Sequence, residues 1–151
     1  MELPCWGKSP RDSVERECER RGQDKVITGC VALLKGRSAD PELIYALGGP
    51  PARWVFTGTE PGPDYWLRVW AARGLLWAWD ESAFSCIMTA LQDEAWRVRE
   101  MALMVVARHR LKEALTTVGS MRDDPNPRVA SAASRALVRL SEKPAGRSGA
   151  E

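Results

Sequence analysis

Histidine occurs once, at position 109, and the four cysteines (Cys5, Cys18, Cys30 and Cys86) form no Cys-x-x-Cys pair. A structural zinc site draws several Cys or His ligands from close spacings, so a Cys/His metal centre is not expected, and no cofactor is implied. Cys30 and Cys86 fall in apolar helical runs, where a free thiol behaves as a small hydrophobe. Reduced cysteines in a cytoplasmic protein are the expectation. No window approaches the ~18 apolar residues that a membrane span needs. Met1 to Pro10 has no basic region leading into an apolar run, so neither a membrane partner nor a secretory signal is expected. A strong charge of one sign is also missing: 22 Lys and Arg against 20 Asp and Glu leave a net +2, and no global field selects a polyanion or a polycation. Gly48-Gly49-Pro50-Pro51 lacks the preceding strand and the lysine of a phosphate-binding loop. Period-2 alternation of useful length occurs nowhere, which removes β-strands and leaves an all-α chain.

Helical signals fill the space that these absences leave. Ser9-Pro10 opens a helix with a capping hydroxyl and a first-turn proline, running to about Arg21, and Gly22 ends it. Asp24 starts a more apolar helix to about Lys35, and 10–35 reads as a first helix pair. Asp40-Pro41 starts a short helix that Gly48-Gly49-Pro50-Pro51 stops, and 52–57 adds a turn or two, so that 40–57 is a degenerate repeat. After the loop 58–63 the pattern becomes regular, with helices expected over 64–79, 82–92, 95–109, 111–122 and 126–140. Asp80-Glu81-Ser82, Asp93-Glu94 and Asp123-Asp124-Pro125-Asn126-Pro127 separate them with capping residues. An Arg-Val pair recurs at 68/69, 97/98 and 128/129, spacings of 29 and 31 residues. A period of that size marks stacked helix pairs, none of which buries its apolar face alone. Residues 1–142 are expected to form one domain, with 143–151 a disordered tail.

The run Asp123-Asp124-Pro125-Asn126-Pro127-Arg128-Val129-Ala130-Ser131-Ala132-Ala133-Ser134-Arg135-Ala136-Leu137 resembles a HEAT repeat of the short, phycobilisome-lyase-like bacterial type. Asp93 to Val106 resembles it too, and 64–92 more loosely. The resemblance implies a right-handed α-solenoid, an α-α superhelix of helix pairs. It further implies a non-catalytic scaffold that binds another protein, since such arrays mostly bind proteins and some bind nucleic acid.

Two surfaces are candidates for that binding. In the helix expected over 64–79, Trp66, Trp70, Arg73 and Trp77 fall on one stripe, with Trp54 opposite in the broken repeat. Trp and Arg concentrate at interface hot spots, yet large aromatics also fill gaps in a core, and either use accounts for the stripe. The second candidate is basic: from Ala95 to Leu140 there are nine Lys and Arg against four Asp and Glu. Arg97, Arg99, Arg108, Arg110, Arg128 and Arg135, with Lys112 and Arg139, would form a phosphate-binding track for nucleic acid, or a solvated cover over the repeat faces. Catalysis has the least support. HEAT-like repeats also build alkyl-purine DNA glycosylases, and Trp66, Trp70, Arg73, Asp64 and Asp80 match the residue types of such a site, but in composition only.

Overall fold

The computed structural model describes residues 7–142, so Cys5 and the tail expected at 143–151 lie outside the described residues. Nine α-helices follow one another in the described residues, with short 3-10 turns between them and no strand. Helix α1 (Pro10–Arg21) opens as its sequence dictates: the Ser9 hydroxyl accepts from the Asp12 N–H at 3.1 Å. Helix α2 (Gln23–Leu34) returns along it, and α3 (Pro41–Gly48) begins where the Asp40 carboxylate accepts from the Glu42 N–H at 2.9 Å. A buried hydrogen bond from the Ser13 hydroxyl to the Ala46 carbonyl (2.8 Å) joins α1 to α3. The half-buried Arg21 supports the same junction through Glu17 at 2.6 Å and Asp40 at 3.0 Å.

Helix α4 (Trp54–Thr57) is a single turn, after which the regular array begins. It comprises α5 (Tyr65–Gly74), α6 (Phe84–Ala90), α7 (Trp96–His109), α8 (Leu115–Ser120) and α9 (Pro127–Ser141). Helix α7 is sandwiched between α5 and α9, while α2 and α3 cover the other side of α5. The stacked helix pairs form an α-solenoid.

Two ion pairs fix how the repeats stack. Arg68 grips Asp93 through Nε at 2.7 Å and Nη2 at 3.2 Å, and Arg99 grips Asp124 in the same way at 2.9 and 3.0 Å. Each aspartate also holds the entry to the next helix: Asp93 accepts from the N–H of Ala95, the residue just before α7, at 2.8 Å, and Asp124 from that of Asn126, just before α9, at 2.9 Å. Arg99 turns its remaining nitrogen back to the Asp93 carbonyl at 2.8 Å, so the two pairs form a ladder along the array. Arg68 and Arg99 are therefore equivalent, as are Asp93 and Asp124, and the structural period is 31 residues at both steps. This corrects the 29-residue spacing read from the Arg-Val pairs. In Arg97-Val98-Arg99 the sequence offers two arginines, and the one that bonds the next repeat is the second. The 31-residue register also aligns Ala71, Ala102 and Ala133, all 0% exposed, where the small side chain lets neighbouring helices approach.

Helix α5 is shorter than the 64–79 read from the sequence and ends at Gly74. A Cβ at Gly74 would stand 2.6 Å from Cδ2 of Leu47, so a larger residue here would push the Leu47 side chain of α3 aside. The chain then turns through Leu75 and Leu76, and Trp77 leaves the line of Trp66 and Trp70. The expected outgoing helices at 82–92 and 111–122 are likewise split, each entered through a 3-10 turn (Glu81–Ala83 and Lys112–Ala114).

The ladder sets a stability expectation. The Arg99 and Asp124 side chains are only 16% and 9% exposed, and removal of one partner leaves a buried charge unmatched. Burial pushes the Asp124 carboxyl up, but the bonds from Arg99 and the Asn126 N–H overcome it and hold the group below its ordinary value. Arg99→Met is expected to cost about 3 kcal/mol in urea unfolding at neutral pH. The cost should shrink as pH falls through the depressed carboxyl pKa, because a protonated Asp124 no longer needs the cation. A loss below about 1 kcal/mol would mean that the ladder does not hold the register.

Candidate functional site

The regular pairing of helices is interrupted after α3, and a cleft lies there between the end of α3, α4, the following loop and α5. Gly49, at φ 75°, stops α3 in a conformation that favours glycine, and Pro50-Pro51 send the chain across the end of the repeat. No full outgoing helix follows, only α4 and the loop 58–64. The space left is a cleft of about 450 Å³, lined by Gly48, Pro51, Trp54, Gly62, Pro63, Trp66, Leu67, Trp70 and Arg73. That volume lies within the ~300–1,000 Å³ typical of ligand sites.

Four of the five residues of the aromatic candidate surface meet in this cleft. Trp66 and Trp70 stack with ring centroids 6.3 Å apart, and Tyr65 adjoins Trp66 at 5.4 Å. The two tryptophans differ in burial. Trp70 is 6% exposed and its ring lies on Gly48, where an added Cβ would come within 2.7 Å of it. Trp54 and Trp66 are half-buried and form the open walls. Trp70 therefore serves packing, while Trp54 and Trp66 keep part of their surface open.

Arg73 is the only charged residue of the lining. Its Nη2 donates to the Leu47 carbonyl at 2.8 Å, while its buried Nε has no hydrogen-bond partner. No carboxylate faces it among the described residues, and burial alone pulls the guanidinium below its ordinary pKa. A half-buried cation without a counter-charge is an unusual arrangement, because burial of an unpaired charge is costly.

Trp77, the fifth candidate, stands apart. It lines a second, more polar groove with Arg11, Trp79, Arg108, His109 and Arg139. There Trp79 stacks on His109 at 4.7 Å, and the imidazole Nε2–H donates to the Leu75 carbonyl at 2.8 Å. Burial holds the His109 pKa down, the carbonyl bond opposes it, and Arg108 adds to the burial effect.

The basic candidates are largely engaged within the fold. Arg99 belongs to the ladder, Arg110 pairs with Glu142 at 3.6 Å, and Arg128 with Glu100 at 3.1 Å. Arg108 donates to the Leu76 carbonyl at 2.6 Å, Arg135 to the Ser131 hydroxyl at 2.8 Å, and Arg139 pairs with Glu142 at 3.3 Å. Lys112 is exposed in the turn before α8. Arg97 differs, since its guanidinium carbon lies 5.4 Å from the ring centroid of Trp66 and 4.4 Å from that of Trp96, and Arg128 reaches Trp96 at 5.1 Å.

In the 31-residue register Trp66, Arg97 and Arg128 are equivalent, and so are Tyr65, Trp96 and Pro127. The aromatic and basic candidates thus meet in one row along the starts of α5, α7 and α9. Sequence reasoning missed Trp96 as a member of that row. The signal was its place directly before Arg97, visible once the repeats are aligned at 31 residues. Of the aspartates matched to a glycosylase-like set, Asp64 is exposed and Asp80 caps the 81–83 turn by accepting from the Ser82 N–H at 2.8 Å. Neither lines the cleft.

An all-α array of stacked helix pairs with inter-repeat Arg–Asp rungs is a helical-repeat protein. The family model of HEAT repeats matches residues 54–143, and the chain belongs to the HEAT-repeat family. No curated protein and no solved structure matches the chain.

The two tryptophans give a direct test. Trp70→Ala is expected to cost about 3–5 kcal/mol in chemical unfolding, as for a buried aromatic removed from a core. Trp66→Ala should cost clearly less, and equal losses would show Trp66 to be core. At the second groove, an imidazole kept neutral in the fold but protonated in the unfolded chain makes stability fall as pH drops below about 6.5. The melting temperature is expected to fall between about pH 7.5 and 5.5, and to fall less for His109→Gln. Equal pH slopes would remove His109 from this account.

Proposed function

We propose that the chain is a non-catalytic protein-binding module and that the cleft of Trp54, Trp66, Trp70 and Arg73 is its contact site. HEAT repeats commonly mediate protein–protein interaction, which supplies the class of function. The observation that supports this location is Arg73, a half-buried cation without a counter-ion among tryptophans that keep exposed surface. Interface hot spots concentrate Trp and Arg, and they sit in pockets from which water is largely excluded.

The alternative, nucleic-acid binding through Arg97, Arg99, Arg108, Arg110, Arg128 and Arg135, is less favoured. Arg99, Arg110 and Arg128 already hold carboxylates, so no uniform row of free cations remains to follow a phosphate backbone.

Affinity capture with the tagged chain, with and without nuclease, separates the two. The expected result is a protein captured in both conditions and lost on Trp66→Ala or Arg73→Glu. Capture that vanishes with nuclease, and that falls steeply with salt, would overturn the protein-binding reading.

A further inference from the structure

We infer that the cleft receives a carboxylate, carried by an acidic residue of an extended partner segment beside a large apolar side chain. This inference rests on the reading of the cleft as a protein-binding site and adds the chemistry of what enters it. The lining holds no acidic residue, and its one charged group is Arg73. That guanidinium satisfies the Leu47 carbonyl with Nη2 and leaves its buried Nε without a partner. An incoming carboxylate supplies the missing opposite charge at the accessible side of the guanidinium, since Nε itself is closed off from solvent. The planar guanidinium suits such an acceptor, and the apolar walls strengthen the pair by keeping water out.

The walls define the neighbour of that carboxylate. Pro51, Trp54, Trp66, Leu67 and Trp70 offer apolar and aromatic surface, and they favour a bulky uncharged side chain next to the acid. A second acidic position is supported just outside the lining. Arg97 lies over the ring of Trp66 and forms no ion pair among the described residues. A peptide carboxylate is favoured over a nucleic-acid phosphate because a single cation in an apolar cleft cannot follow a phosphate chain, and Arg128 beyond it is neutralised by Glu100.

Selection of a random 12-residue peptide display library on the full chain tests this. The expected consensus places Asp or Glu within one or two residues of a large apolar residue. For a synthetic peptide of that consensus, Glu→Gln should weaken binding about tenfold or more on the native chain, as for loss of a hydrogen bond to a charged group, and have no effect on Arg73→Met. Arg73→Lys retains a donor for the Leu47 carbonyl and the positive charge, so it guards against a folding defect, and it should restore part of the preference. Peptides that are lost on Trp66→Ala yet show no acidic preference would overturn the carboxylate and leave the cleft reading intact. No enrichment, or enrichment indifferent to both Trp66→Ala and Arg73→Met, would overturn both.

Discussion

The Arg–Asp ladder is the constraint from which the rest of the array follows. Arg68–Asp93 and Arg99–Asp124 are paired bidentately across successive repeats, and each aspartate also bonds the N–H of the residue that precedes the next helix. One residue thereby ties the entry of a helix to the offset of its repeat from the one before. With that offset fixed, Ala71, Ala102 and Ala133 fall at equivalent, fully buried positions of successive helices. The ladder also aligns the helix starts, which brings Trp66, Trp96, Arg97 and Arg128 within stacking reach of each other.

The cleft is where this order stops. Gly49 and the two prolines after it end α3 before a full repeat is complete, and no long helix covers the flank of α5 there. Trp70 fills part of the resulting gap by lying flat on Gly48, a contact that any larger residue at 48 would disturb. Trp66, Trp54 and Arg73 line the part that stays open. Packing and the proposed binding are thus neighbouring uses of one helix face, divided between residues four positions apart.

Much of this was legible in the sequence. The caps at Ser9, Asp40 and Asn126 mark real helix starts, and the all-α repeat architecture follows from the apolar periodicity. The register was not legible, because Arg97 competes with Arg99 as the counterpart of Arg68 in the next repeat. The end of α5 was hidden because Leu75, Leu76 and Trp77 continue a helical pattern in the sequence, while the chain turns after Gly74. Trp77 was assigned to the aromatic stripe on that continued wheel and belongs to the second groove. Arg73 was recognisable as a member of the stripe, but its missing counter-ion is a property of the assembled cleft.

The claim on which the functional account depends is that Trp66 and Trp54 are open to solvent while Trp70 is not. Fluorine NMR of the chain labelled with 5-fluorotryptophan, assigned by single Trp→Phe variants, measures this directly. Exchange of water for deuterated water should shift the Trp54 and Trp66 resonances and leave that of Trp70 in place. A Trp66 resonance as insensitive as that of Trp70 would contradict the account and reduce the cleft to packing.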